Sequence, residues 1–128
     1  MVAIQSRVKT SVQCQCKRRH IMLFMLHAKL AKPEGMSNKE FYGVWEQEAE
    51  AAVAALKAGV IKALYKVPGT PEVVGILDVN TADDLDHAVH SLPIWKLGYS
   101  HIVAELKWTP LRPYENWAED LKKLAREE

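Results

Sequence analysis

Cysteine is almost absent from this chain. Cys14 and Cys16 are the only two among 128 residues. They stand too close together to bridge readily, and a Cys-x-Cys pair offers too few ligands for a zinc site. Nothing here builds a disulfide framework, so a reducing cytoplasm is the expected compartment. Net charge is also missing. A formal charge of +1 gives no overall field to hold nucleic acid or a membrane surface. No apolar run reaches the roughly 20 residues needed to cross a bilayer. There is no phosphate-binding glycine loop, no nucleophile elbow and no zinc-ligand spacing.

Acidic residues are missing from one stretch in particular. Met1 to Ile21 has none, while Arg7, Lys9, Lys17, Arg18 and Arg19 are basic. A secretory signal needs an apolar core that this stretch lacks. The expectation is a disordered basic extension over residues 1–21, with Met22 as the natural start of the fold. A transit peptide is the alternative reading. A basic arm for nucleic acid finds no support further along the chain.

What is present reads as one packed domain over residues 22–128. Hydrophobic residues make up 48% and charged residues 26%, enough for a core and against disorder. His20 to Ala31 reads as a strand, with an apolar run followed by alternation. Ser37-Asn38-Lys39-Glu40 has capping-box spacing, which predicts a helix start. That helix runs to Ala58, with Gly59 as its left-handed stop. Its inward stripe is Phe41, Val44, Trp45, Glu48, Ala52, Ala55 and Leu56. Val60–Val67 and Glu72–Val79 form a hairpin around Pro68-Gly69-Thr70-Pro71. Asn80 or Thr81 caps a second helix with the stripe Leu85, Ala88, Val89 and Leu92, ended by Pro93. Tyr99–Trp108 is the last strand, and Tyr114–Arg126 a final helix with Trp117, Leu121 and Leu124 on one side.

The order is β-α-β-β-α-β plus a tail helix. It predicts an α+β, ferredoxin-like fold: a four-stranded antiparallel sheet with two helices on one face and an extra C-terminal helix. The opposite sheet face, with Leu23 and Met25, has no cover within the chain. It is expected to pair with a second copy, giving a homo-oligomer.

Glu48 is the most unusual residue. It lies mid-stripe between Trp45 and Ala52, whereas Glu46 and Glu50 point away. A buried carboxylate is costly unless paired or neutral. Such a group has a raised pKa and suits proton shuttling near neutral pH. The bland reading pairs it with a sheet lysine or histidine, or lets it reach solvent past Ala51 and Ala52. By two-residue periodicity the helix-free face carries His27 and Lys29 from the first strand, and His101 and Glu105 from the last. Lys62 or Tyr65 joins from the second strand. His87 and His90, near Asp83, Asp84 and Asp86, read as a solvated surface rather than a metal site. The four tryptophans read as packing.

Several features in order resemble the muconolactone isomerase family. They are Met22-Leu23-Phe24, Glu48 eleven residues before Gly59, Leu64 with Tyr65, Gly69 in the turn and Leu77-Asp78-Val79. Leu85, Leu92-Pro93 and Pro110 continue the series. The likeness spans Met22 to Pro110. It implies a dimeric α+β barrel, often built into larger rings, without metal or organic cofactor. The implied reaction moves a double bond in a small unsaturated lactone during breakdown of aromatic compounds. Glu48 matches the family's proton-carrying glutamate; His27, Tyr65 and His101 are the expected substrate-binding neighbours. Three departures stand out. The hairpin reads Thr70-Pro71-Glu72-Val73 where the family carries polar and aromatic residues. Met25 replaces an expected histidine, with His27 two residues on. A helix replaces the short tail. The alternatives are another enzyme on the same barrel, such as a cofactor-independent oxygenase or a cyclase, and a non-catalytic binding protein.

Overall fold

The computed structural model describes residues 22–127; the extension expected over 1–21 lies outside them. Four strands are formed: β1 (Met22–Leu30), β2 (Ile61–Val67), β3 (Glu72–Val79) and β4 (Val103–Leu111). The helices are α1 (Asn38–Ala58), α2 (Ala82–His90), the one-turn α3 (Pro93–Lys96) and α4 (Tyr114–Leu124). The sheet order is β2-β3-β1-β4, and every neighbouring pair is antiparallel. The connection through α1 skips over β3, and the one through α2 and α3 skips over β1. That is the split βαβ, ferredoxin-like arrangement expected from the element order.

Local chemistry sets the helix ends. Ser37 Oγ accepts the Glu40 N–H at 3.1 Å, and Thr81 Oγ1 accepts the Asp84 N–H at 3.0 Å. Each satisfies a first-turn donor that has no intrahelical partner. The capping box is only half made, however. Glu40 Oε2 accepts from the Tyr99 hydroxyl at 3.2 Å rather than turning back to Ser37. Gly59 takes φ 90° past the end of α1, a conformation in which a side chain would be strained.

Register separates the two sheet faces. Phe24, Leu26 and Ala28 stand beside Leu77, Gly75 and Val73 on one flank, and Leu26 and Ala28 beside Trp108 and Leu106 on the other. This face lies under the helices. One buried cluster joins Ile61, Leu77, Val79 and Leu85, packed against Ala52, Ala55 and Leu56 of α1. A second joins Leu30, Phe41, Val44, Ile94 and Ile102 at the other end. The opposite face carries Met25 beside Ile76 and His27 beside Val74; among the described residues no helix covers it.

The last strand differs from expectation. Ser100–Ile102 is a 3-10 turn, and β4 starts at Val103 and runs through Pro110 to Leu111. The register shifts between Lys29 and Leu30: Lys29 faces Glu105 but Leu30 faces Val103. Ala104 is the extra residue of a bulge. The shift brings Val103 to the helix side, the reverse of simple alternation. Pro110 is tolerated because β4 is an edge strand, where a missing N–H breaks no ladder. Pro93 does more than end α2, since it opens α3 at a position where its missing N–H costs nothing. Among the described residues, no helix is long and apolar enough to cross a membrane.

Candidate active site

Between the sheet and the helices lies a cavity of about 600 Å³, a size suited to a small organic molecule. Leu26, Ala28, Leu77 and Leu106 form its sheet wall, and Trp45 and Ala52 its α1 wall. Val89, Leu92, Ile94 and Trp95 close it from the α2–α3 side. Val60, Tyr65 and Lys66, all exposed, border it at solvent. Among the described lining residues Glu48 is the sole carboxylate and Lys66 the sole cation.

Glu48 enters this apolar space because it sits one helical turn beyond Val44 on the inward stripe of α1. Its Oε1 accepts the backbone N–H of Ile94 at 2.9 Å. That donor belongs to the first turn of α3 and has no partner within its helix. Burial pushes the Glu48 carboxyl above its ordinary value of 4.5, and the Ile94 hydrogen bond draws it partly back. No other protein hydrogen bond reaches the carboxylate among the described residues. One oxygen is thus held by backbone, and the other has no protein partner among the described residues.

The other expected site residues do not gather around Glu48 within one chain. His27 stands on the opposite sheet face, its Nε2 2.6 Å from Glu72 Oε1. His101 lies in the 3-10 turn, exposed and stacked on Tyr99 with ring centroids 6.2 Å apart. It is absent from the cavity wall because the strand that was to carry it begins two residues later. Tyr65 touches the cavity from edge strand β2, but its register with Val74 sets it toward the open face, and it is 68% exposed.

Sequence reading passed over other residues. Trp45, Trp95 and Trp108 all line the cavity. Their indole N–H groups make no hydrogen bond to a described residue. Lys66 was not singled out either. It stands two residues from Leu64 on the helix side of β2, a parity that the sequence displays. Its Nζ donates to Val67 O at 3.2 Å. That oxygen already accepts from the Thr70 hydroxyl at 3.1 Å and the Thr70 N–H at 3.3 Å, so the lysine contact is a third, easily released one. Among the described residues, no group of three or more histidine, cysteine, aspartate or glutamate side chains is placed to hold a metal ion.

A split βαβ sheet, with a half-buried carboxylate in a largely apolar cavity under its helices, defines a ferredoxin-like domain. The family model for muconolactone delta-isomerase matches residues 22–116, and the chain belongs to that family. No curated protein matches it. Among solved structures it is similar to a NIPSNAP family protein from Agrobacterium tumefaciens, with 14% identity, a TM-score of 0.47 and coverage of 73% of this chain and 86% of that one. A NIPSNAP-like domain protein from Burkholderia xenovorans has 17% identity and a TM-score of 0.43, covering 73% and 85% respectively. Likeness at this level transfers no property of the site.

Proposed function

We propose that this chain is a cofactor-free isomerase that shifts a carbon–carbon double bond in a small unsaturated lactone, with Glu48 as the proton carrier. The reaction fits the breakdown of aromatic compounds, the setting that family membership suggests. The carrying observation is Glu48 itself: the one carboxylate among the described lining residues, raised in pKa by burial, inside a cavity walled mostly by apolar side chains.

Conjugation to the lactone carbonyl acidifies a ring C–H. The Glu48 carboxylate takes that proton, and the electron pair moves onto the carbonyl oxygen to give a dienolate. The Glu48 carboxylic acid then returns the proton to a different ring carbon, and the double bond ends one position along. No atom is gained or lost. A raised pKa serves both halves, since the group must accept and then release the same proton near neutral pH. The dienolate oxygen needs donors set in advance, and the indole N–H groups of Trp45, Trp95 and Trp108 are the candidates in the wall.

The test follows the ultraviolet absorbance of a conjugated lactone with the native protein and with Glu48→Gln. Glutamine keeps an oxygen for the Ile94 N–H but cannot take a proton. Turnover is expected to fall by about 10² or more, the usual contribution of general-base catalysis, with the melting transition retained. Full turnover by the glutamine variant removes Glu48 from the role. A native protein that leaves such lactones unchanged, but consumes oxygen with a phenol, replaces the isomerase reading with the oxygenase one.

A further inference from the structure

The buried core of the described residues is in two pieces, where a domain of this size ordinarily closes one. The cavity beside Glu48 touches both. Ile61 and Leu77 of one cluster line it, and so do Leu30 and Ile94 of the other. Leu26, Trp45, Leu106 and Trp108 also line it and are only half-buried. The apolar centre of the molecule is therefore open to water, a state that favours an apolar occupant. Its walls are braced from behind. Trp45 meets Phe41 edge-on at 5.9 Å between centroids and stacks on Tyr42 at 6.4 Å. Trp108 meets Phe24 edge-on at 6.5 Å, and Trp95 meets His90 edge-on at 6.5 Å. None of these supporting rings lines the cavity. Between the indoles, Ala28, Ala52, Ala55 and Ala88 take up little of the space.

Size then selects the occupant. A lactone ring with a short substituent has about ten non-hydrogen atoms and fills at most about 300 Å³, even if each atom is given the ~30 Å³ of a liquid water molecule. The cavity holds about 600 Å³. Water is a poor filler for the remainder, because an ordered water needs about two to four polar partners. Glu48 is the one carboxylate in the wall, while Tyr65 and Lys66 stand exposed at the solvent edge. We propose that the substrate is a lactone joined to an aromatic ring system, with the lactone beside Glu48 and the rings against the tryptophan-lined walls. The lactone end rests on the isomerase reading above; the aromatic end rests on the cavity alone. Rings suit these walls better than a flexible chain does. Aromatic pairs gain from edge-on and offset packing beyond the area that they bury, and a rigid ring has less freedom to lose on binding.

Titration calorimetry on the full chain tests this with saturated probes: γ-butyrolactone, γ-phenyl-γ-butyrolactone, γ-naphthyl-γ-butyrolactone and γ-decalactone. None has a lactone double bond to shift, so binding is read whether or not the chain isomerises anything. The phenyl probe is expected to bind at least about tenfold tighter than the bare lactone, and the naphthyl probe tighter again, as burial of aromatic surface requires. It is also expected to bind tighter than γ-decalactone, which has as many non-hydrogen atoms but a flexible chain. Ala52→Phe fills the cavity from α1, and Leu106→Trp fills it from β4. In either variant that melts cooperatively, the naphthyl and bare lactones are expected to bind within about threefold of each other. The proposal is overturned if the native chain binds these two equally, if γ-decalactone binds tighter than the phenyl probe, or if a folded, filled variant keeps the native preference. Isomerisation of a conjugated lactone by a chain without the ring preference removes the aromatic end and leaves the isomerase reading. A strong ring preference in a chain that isomerises no lactone does the reverse.

Discussion

At the scale of single residues, Glu48 combines two demands that usually conflict. Its oxygen caps the start of α3 through Ile94, which is a structural service. Its burial raises the carboxyl pKa, which costs stability whenever the group is ionised. The sign follows from proton linkage. The folded state holds the proton more tightly than the unfolded chain, whose carboxyl titrates at the ordinary value of 4.5. As pH rises from there through the higher folded value, this residue's contribution to stability declines, and it levels off above that value. Glu48→Gln has no such titration. Urea unfolding of both proteins at stepped pH is therefore expected to show the glutamine variant gaining on the native chain between pH 4.5 and neutrality. A stability difference that stays constant across that range contradicts the assigned pKa direction. Activity is expected to carry the same signature. Loss of kcat/KM on the acid side should fall at a pKa above that of an ordinary glutamate, because only the ionised form accepts the substrate proton.

At the scale of elements, the caps are the simplest parts to test. Thr81→Ala removes the acceptor for the Asp84 N–H and is expected to cost about 1 kcal/mol. Glu40→Ala is expected to disturb the link from α1 to Tyr99 rather than the helix start, since Glu40 serves Tyr99. A similar urea midpoint for Thr81→Ala and the native chain would show the first expectation to be wrong. The Tyr99 link spans 59 positions, and no local spacing rule could announce it. The same contrast explains what was legible in the sequence. The bounds of α1 and β3 could be read because capping residues, turn residues and periodicity agree there. The start of β4 could not, because Ile102, Ala104 and Leu106 alternate like one continuous strand, whereas a bulge at Ala104 resets the register. Glu48 drew notice because a charge on an apolar stripe is a local anomaly. His27 and His101 joined it only as candidate donors to an enolate oxygen; the two-residue period places His27 on the helix-free face, so the sheet between it and Glu48 was itself legible. The tryptophans of the cavity wall read as packing, since a large apolar ring at helical or strand spacing looks the same in sequence whether it borders a cavity or fills a core.

At the scale of the whole molecule, the unresolved demand is the open face of the sheet. Met25, Val74 and Ile76 stand there, half-buried, in neighbouring strands, with Ala63 and Tyr65 beyond them on β2. Helices α1, α2 and α3 pack on the other side, and among the described residues no helix covers this one. We propose that a second copy does so, face to face. Each partner would lose roughly 800 Å² if the dimer is stable. Three polar pairs lie on this face, His27 with Glu72, Lys29 with Glu105 and Lys62 with Asp78, and Lys107 stands beside His27 with no ion-pair partner among the described residues; in a stable contact these charges belong at its rim. Ile76→Lys puts a charge at the centre of the face, while the cavity lies on the other side of the sheet. It is expected to raise the dissociation constant of this dimer by at least about a hundredfold, since an uncompensated buried charge costs several kcal/mol. Light scattering over a dilution series distinguishes the outcomes. A native chain that stays monomeric and fully folded at micromolar concentration defeats the sheet-face dimer. Ile76→Lys that dissociates no more readily than the native chain places the contact elsewhere.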